Sequence, residues 1–312
     1  MIERGRRGAD ALVRILAQAG VRRLFTLSGN HVMPVFDAAL DAGLELVHVR
    51  HEAAAVHMAD AWARITGEPG VALVTGGPGH ANAVGALYTA AMAESPVVLL
   101  SGHAPSGELG LGAFQEMKQA AIAAPLAKAS WVSTDAGVVA WDAARALRIS
   151  LSGRPGPVSL SLPTDALEDQ ALAEDDPPID DARPEPMALA ESRAESLLDR
   201  LGAARRPLIL CGPASMGREG RARMQALESA SGIPVVGMES PRGINDPSLG
   251  RLAELLPTAD VVLLVGKRLD FTLKFGRAPA FSMVCEFLQV DAEAAERERA
   301  RRAVGARLST SM

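Results

Sequence analysis

The sequence predicts an α/β protein built from two doubly wound, mainly parallel-sheet domains, the second of them incomplete. Three observations carry that prediction. Apolar runs of strand length alternate with amphipathic runs of helix length along the chain, the rhythm of a parallel sheet covered on both faces. Glycine- and proline-bearing turns follow several of the apolar runs and lead at once into helices, as at 76–80. An acidic, proline-rich stretch at 171–190 has no apolar period and reads as a linker between 1–170 and 191–312. A chain of 312 residues is also the length of about two domains.

Taken in order, residues 9–19 repeat apolar positions at helical spacing and stop at Gly20, a good helix terminator. Residues 21–27 read as a strand and Ser28-Gly29-Asn30-His31 as a turn, followed by a helix over 32–42 in which Pro34 is tolerated in the first turn. A β-branched run then ends on Arg50-His51-Glu52, and an Ala-rich helix follows. Residues 70–75 form a buried strand, 76–80 a tight loop, 81–93 a helix and 96–101 another buried strand. From Gly102 through Glu116 the pattern loosens into a long glycine-rich loop, and loops of that length in compact domains are usually functional. A helix over 135–150 and the run 153–165 close the first block. In the second, strands are expected at 207–211, 233–238, 260–265 and 284–290, with helices at 218–231 and 292–302, and 308–312 as a frayed tail.

Composition narrows the function classes. Hydrophobic residues make up 48% of the chain, ample for buried cores, and the net charge of −5 without a basic block argues against nucleic acid or anionic membrane as partner. Cys211 and Cys285 lie far apart, so neither a disulfide framework nor a zinc site is indicated. The basic start leads into a charged helix rather than a signal core, and no apolar run reaches the roughly 20 residues of a membrane span. A soluble, cytoplasmic protein is expected.

Glu52 stands where a strand ends and a helix begins, and crevices at the carboxyl ends of parallel strands are where open α/β sheets keep their ligands. A carboxylate there also suits a helix start, where it can satisfy free amides. Arg50-His51-Glu52, Gly77-Pro78-Gly79-His80-Ala81-Asn82, Phe114-Gln115-Glu116, Lys128 and Gly153-Arg154-Pro155-Gly156-Pro157 resemble, in order and spacing, the thiamine-diphosphate enzymes of the acetolactate synthase, benzaldehyde lyase and oxalyl-CoA decarboxylase type. The resemblance is dense over 8–166, the family's pyrimidine-binding domain, and weaker through the second block, its central domain.

The resemblance implies a lyase or carboligase acting on a 2-oxo acid, an aldehyde or an acyl thioester. In the family a glutamate hydrogen-bonds N1′ of the cofactor's aminopyrimidine and so promotes loss of the thiazolium C2 proton. A carboxyl in an apolar niche suits that exchange, since desolvation favours its protonated form. Glu52 is the matching position. Ser28, Gly29, Thr75, Pro78, Gly79 and Asn82 are then expected to line the ring, with close backbone approach allowed by the glycines; a tight strand-to-helix turn is the alternative. His31 matches a histidine of benzaldehyde lyase and is expected to shuttle protons, the alternative being an ordinary turn residue. Gln115 joins Glu52 and His31 as a catalytic candidate, and His80 and Phe114 are expected to face substrate. Lys128 is either a channel residue or simply solvated.

Family members bind the diphosphate and Mg2+ through a third domain with a Gly-Asp-Gly…Asn signature, which this sequence lacks. The chain is therefore expected to be a truncation, a fragment or one subunit of a split enzyme, inactive alone, with no metal ligands of its own. Its expected partner is a second copy or a subunit carrying the diphosphate domain. FAD in the central domain is left open, with Gly266-Lys267-Arg268-Leu269-Asp270 a loose echo of the family's flavin segment and Glu239–Gly243 a turn that could meet an adenine nucleotide. The rival reading is a non-catalytic regulatory or assembly subunit that kept the fold.

Overall fold

The computed structural model describes residues 6–171, 176–185 and 187–311, and the chain divides into two units after Glu185. The first contains α1 (Gly8–Gln18), β1 (Arg23–Thr26), α2 (Met33–Asp41), β2 (Glu45–His48), α3 (Glu52–Thr66), β3 (Gly70–Val74), α4 (Pro78–Ala93), β4 (Val97–His103), α5 (Gln119–Ala123), β5 (Ala129–Val132), α6 (Val139–Leu151), β6 (Val158–Pro163) and α7 (Thr164–Glu168). Its strands are all parallel, in the order β2-β1-β3-β4-β6-β5.

The period-2 alternation of the strands sends successive residues to opposite faces. Val71, Leu73, Val98 and Leu100 join a core with α1, α2 and α6, while Ala72, Val74, Val97 and Leu99 join another with α3 and α4. Each such fully buried Val or Leu contributes about 1.5–3 kcal/mol, and both faces of these strands are buried. Helix α3 ends at Gly67, whose left-handed φ of 79° closes the last turn.

The second unit contains α8 (Glu191–Ala203), β7 (Pro207–Cys211), α9 (Arg218–Ser231), β8 (Val235–Gly237), α10 (Leu252–Leu255), β9 (Val261–Val265), β10 (Glu286–Val290), α11 (Ala294–Val304) and β11 (Leu308–Ser311). Its parallel sheet runs β11-β10-β9-β7-β8. The two doubly wound domains expected from the sequence are therefore present. The frayed tail is not: Leu308–Ser311 is a strand registered on Phe287–Val290. Strand β5 also goes beyond the expected elements, pairing with β6 at the sheet's far edge.

Part of the expected linker, 172–175 and 186, lies outside the described residues. Within it, the turn Ile179–Ala182 packs on α6, and Ala171 and Ala182 are buried in the first core. Asp176 pairs with Arg6 and with Arg14 Nη1, the latter at 3.0 Å. Among the described residues no helix is long and apolar enough to cross a membrane.

In the first sheet the chain steps from β1 outward to β2, then returns across β1 to β3. The helices leaving β1 and β2 therefore lie on opposite faces, and a crevice opens between the loops that follow β1 and β3. Every segment singled out for chemistry in this unit except Lys128 and the Gly153–Pro157 run borders that end of the sheet.

Candidate active site

The first helical residue of α3 is Glu52, but the cap is His51, whose Nδ1 accepts from the Ala53 N–H at 3.2 Å. The Glu52 carboxylate is thus released from helix capping. It is 8% exposed, and Oε2 accepts from Asn82 Nδ2 at 3.0 Å. Gly79 lies against the same group: a Cβ there would sit 3.4 Å from Glu52 Oε1 and 2.7 Å from Thr75 Cγ2. Gly29 presses on the other side of Thr75, where a Cβ would come within 2.4 Å of the Thr75 Cβ. Glu52, Asn82, Gly79, Thr75 and Gly29 therefore form one contiguous group from four chain segments. Ser28 is more peripheral, its hydroxyl 3.5 Å from His48 Nε2 at the end of β2, and Pro78 is exposed at the start of α4.

His31 joins this group to the long loop. Its Nδ1 is 3.2 Å from Thr75 Oγ1, and its ring stacks on Phe114 with centroids 5.8 Å apart and planes at 24°. Burial lowers the pKa of His31, as does repulsion from His103, and a hydrogen bond to the Phe114 backbone opposes them. Burial thus favours the neutral imidazole, which has one nitrogen free to accept a hydrogen bond or a proton. Phe114 itself is 67% exposed. Gln115 adopts a φ of 58°, rare for a residue with a side chain, and packs on Gly77, where a Cβ would lie 2.7 Å from both its Cβ and its carbonyl oxygen. Glu116 fixes the loop from behind, accepting from the Gly110, Gly112 and Ala113 N–H groups at 2.7, 3.2 and 3.2 Å.

Two expectations change. His80 does not face the crevice. It is fully buried beneath the Pro78 loop, with Nδ1 2.8 Å from Ser101 Oγ and Nε2 3.1 Å from the Gln119 carbonyl. A carbonyl can only accept, so Nε2 carries the proton and Nδ1 accepts from the serine. Burial pushes the His80 pKa down to about 4, against a smaller opposing effect of the Gln119 carbonyl. Lys128 is not simply solvated: its Nζ donates to the Ile149 and Ser152 carbonyls at 2.7 and 2.5 Å, where a cation caps the carboxyl end of α6.

The sequence reading missed Gln119 and His103. Both are buried, and the His103 ring nitrogens lie 3.2 and 3.1 Å from the Ala104 and Met117 carbonyls. A polar residue in an Ala-rich run carries no local sign that it faces inward.

A buried carboxylate, a neutral imidazole and glycine-lined backbone, at the carboxyl ends of parallel strands, can bind a flat heterocycle and exchange protons with it. The chain matches the N-terminal TPP-binding domain of thiamine pyrophosphate enzymes over residues 6–122 and their central domain over residues 194–308. It belongs to that family and carries these two of its domains. Among relatives, it is 31% identical to an acetolactate synthase of Mycobacterium bovis over 303 residues, covering 93% of this chain and 49% of the relative. It is 33% identical to acetolactate synthase isozyme 3 large subunit of Escherichia coli over 285 residues, 84% of this chain and 49% of the relative. It is 32% identical to 2-hydroxyacyl-CoA lyase 2 of Danio rerio over 319 aligned positions, 87% of this chain and 50% of the relative. The chain thus spans about half the length of the curated relatives it matches.

Proposed function

We propose that this chain supplies the pyrimidine-binding and central portions of a thiamine-diphosphate-dependent lyase or carboligase, acting on a 2-oxo acid, an aldehyde or an acyl thioester. The observation that carries the reading is the Glu52 carboxylate: buried at the strand-order reversal, freed from capping by His51, and held by Asn82 beside Gly79 and Thr75. That donor set fits an aminopyrimidine, because a carboxyl group can share a proton with a ring nitrogen. When bound, thiamine diphosphate supplies the electron sink for making or breaking a C–C bond.

This chain's own residues bind, orient and move protons. Glu52 holds the proton exchanged with the ring nitrogen. Thr75, Gly79 and Gly29 set the ring's edge, with Pro78 and Ser28 at its margin. His31 accepts or returns a proton on the substrate side, and Gln115 and Phe114 wall that side. Mg2+ and the diphosphate are assigned to a separate domain, brought by a second copy or a partner subunit in a cytoplasmic assembly. A flavin or adenine nucleotide would belong to the second unit, where Gly243 packs on the loop after β9; a Cβ there would meet the Thr272 carbonyl at 2.1 Å.

Calorimetric titration with thiamine diphosphate and Mg2+ tests the reading. Without the diphosphate's ligands, the ring site must still offset an association cost of about 4 kcal/mol or more. The lone chain is expected to bind at about the millimolar level, about −4 kcal/mol, and much more tightly once a chain bearing the diphosphate domain is added. Micromolar, Mg2+-dependent binding to the lone chain would contradict the assignment of the diphosphate elsewhere. No gain with that domain present would favour an assembly subunit.

A further inference from the structure

We infer that Gln119 is a positioning residue, one buried amide that sets the two backbone surfaces against which His31 and Gln115 rest. Gln119 heads α5, immediately after the long loop, and is buried. Its side chain is satisfied from three strand ends. Oε1 accepts from the Gly77 N–H at 2.8 Å, beyond β3. Nε2 donates to the Gly102 carbonyl of β4 at 3.1 Å and to Ser161 Oγ of β6 at 3.0 Å. Its own carbonyl accepts from His80 Nε2 on α4 at 3.1 Å. Both glycines it holds are in close contact with proposed site residues. A Cβ on Gly102 would lie 2.4 Å from the His31 Cβ, and one on Gly77 would lie 2.7 Å from the Gln115 Cβ. Gly76 is wedged into the same clamp, where a Cβ would meet the Gly102 carbonyl at 2.7 Å and Gln119 Oε1 at 3.1 Å.

A planar amide presents one acceptor and two donors at fixed angles. It ties Gly77 to Gly102 and Ser161 with a geometry that neither an apolar side chain nor a carboxylate reproduces. Buried polar networks of this kind are rigid because each unmade bond costs more than the made bond contributes. Gln119 itself makes no contact with Glu52 or Thr75 in the network described, so it acts through the backbone on the side chains of the crevice. The inference rests on the reading of His31 and Gln115 as groups that face the reaction.

NMR of the full chain labelled with 15N-histidine and 15N-glycine tests it without cofactor or turnover. In Gln119→Leu, exchange of the Gly77 amide is expected to rise about tenfold or more, and the His31 ring signals to shift. Leu147→Ala, a cavity in the core on the other face of the sheet, is the control: it should lower Tm yet leave both signals in place. Equal responses in the two variants would overturn the inference. Should Gln119→Leu not fold, Ser161→Ala removes a single partner of the amide. It is expected to move His31 in the same sense by less, and an unmoved His31 would overturn the inference. Because turnover plays no part, a chain that passes this test but never binds thiamine diphosphate keeps the clamp and loses the proposed function.

Discussion

In the first domain the strand order reverses between β1 and β3, in the second between β7 and β9, and the two crevices so created are furnished differently. The first gathers a carboxylate, a histidine whose pKa is lowered by burial and a loop fixed by Glu116, with His80 buried beneath it. The second brings backbone against backbone and polar groups that satisfy one another. A Cβ on Gly212 would meet the Gly266 carbonyl at 2.1 Å, and buried Lys267 donates to Thr272 Oγ1 at 2.7 Å. All six histidines of the chain, and all three tryptophans, lie in the first domain. Shared winding sets where a crevice forms; the side chains placed at it decide whether it can move protons near neutral pH.

The contrast is sharpest under acid. An unfolded histidine titrates near 6.5, but His80 titrates at about 4 in the fold. Between those values the unfolded chain binds more protons, so stability falls as pH drops through that window, by up to about 3 kcal/mol. Trp62, Trp131 and Trp141 report the first domain alone. Urea unfolding followed by tryptophan fluorescence should show this loss, and His80→Gln should flatten the slope. A slope unchanged by the substitution would mean the imidazole is not the group responsible.

A second test sets one backbone conformation against two surroundings. Gly77 (φ 58°, ψ −116°) and Gly250 (φ 58°, ψ −123°) are nearly identical, but a Cβ on Gly250 meets nothing within 4 Å while one on Gly77 strikes Gln115. Alanine should cost about 1–3 kcal/mol of strain at either position. At Gly77 it should cost about 1–3 kcal/mol more, because the loop is displaced. Fluorescence reads the first change and far-UV circular dichroism the second; equal losses would remove the tight contact from the account.

The smallest effect is expected at Glu116. The Gly110 N–H, followed by those of Ala113 and Gly112, holds its carboxyl below the usual range. That support is complete above the ordinary glutamate pKa and fades as pH falls through the lower folded value. Glu116→Gln should leave the fluorescence midpoint almost unchanged while speeding proteolysis within residues 109–114. Equal cleavage of variant and parent would show that the loop does not depend on the carboxylate.

What was legible in the sequence was local. Glu52, the Pro78 loop and Phe114-Gln115 announce themselves by strand-to-helix junctions and by glycines, because turn chemistry is written in adjacent residues. What escaped depends on contacts across the sheet. His80 follows Pro78 and Gly79 and looks crevice-facing, yet its ring turns inward to Ser101, 21 positions away. Gln119 answers Gly77, 42 positions back. The polar run Leu308–Ser311 becomes a strand because β10 offers a free edge, a tertiary fact that overrides a weak local propensity.

The central claim is that Glu52 serves the cofactor's ring rather than the helix it begins. Proton–deuterium exchange at C2 of thiamine diphosphate, followed by NMR in the assembly purified with wild-type or Glu52→Gln chain, addresses it most directly. The amide keeps the shape and the Asn82 neighbour but cannot exchange the proton, so exchange should slow by about 100-fold or more. Exchange as fast in the glutamine variant as in the parent would contradict the account.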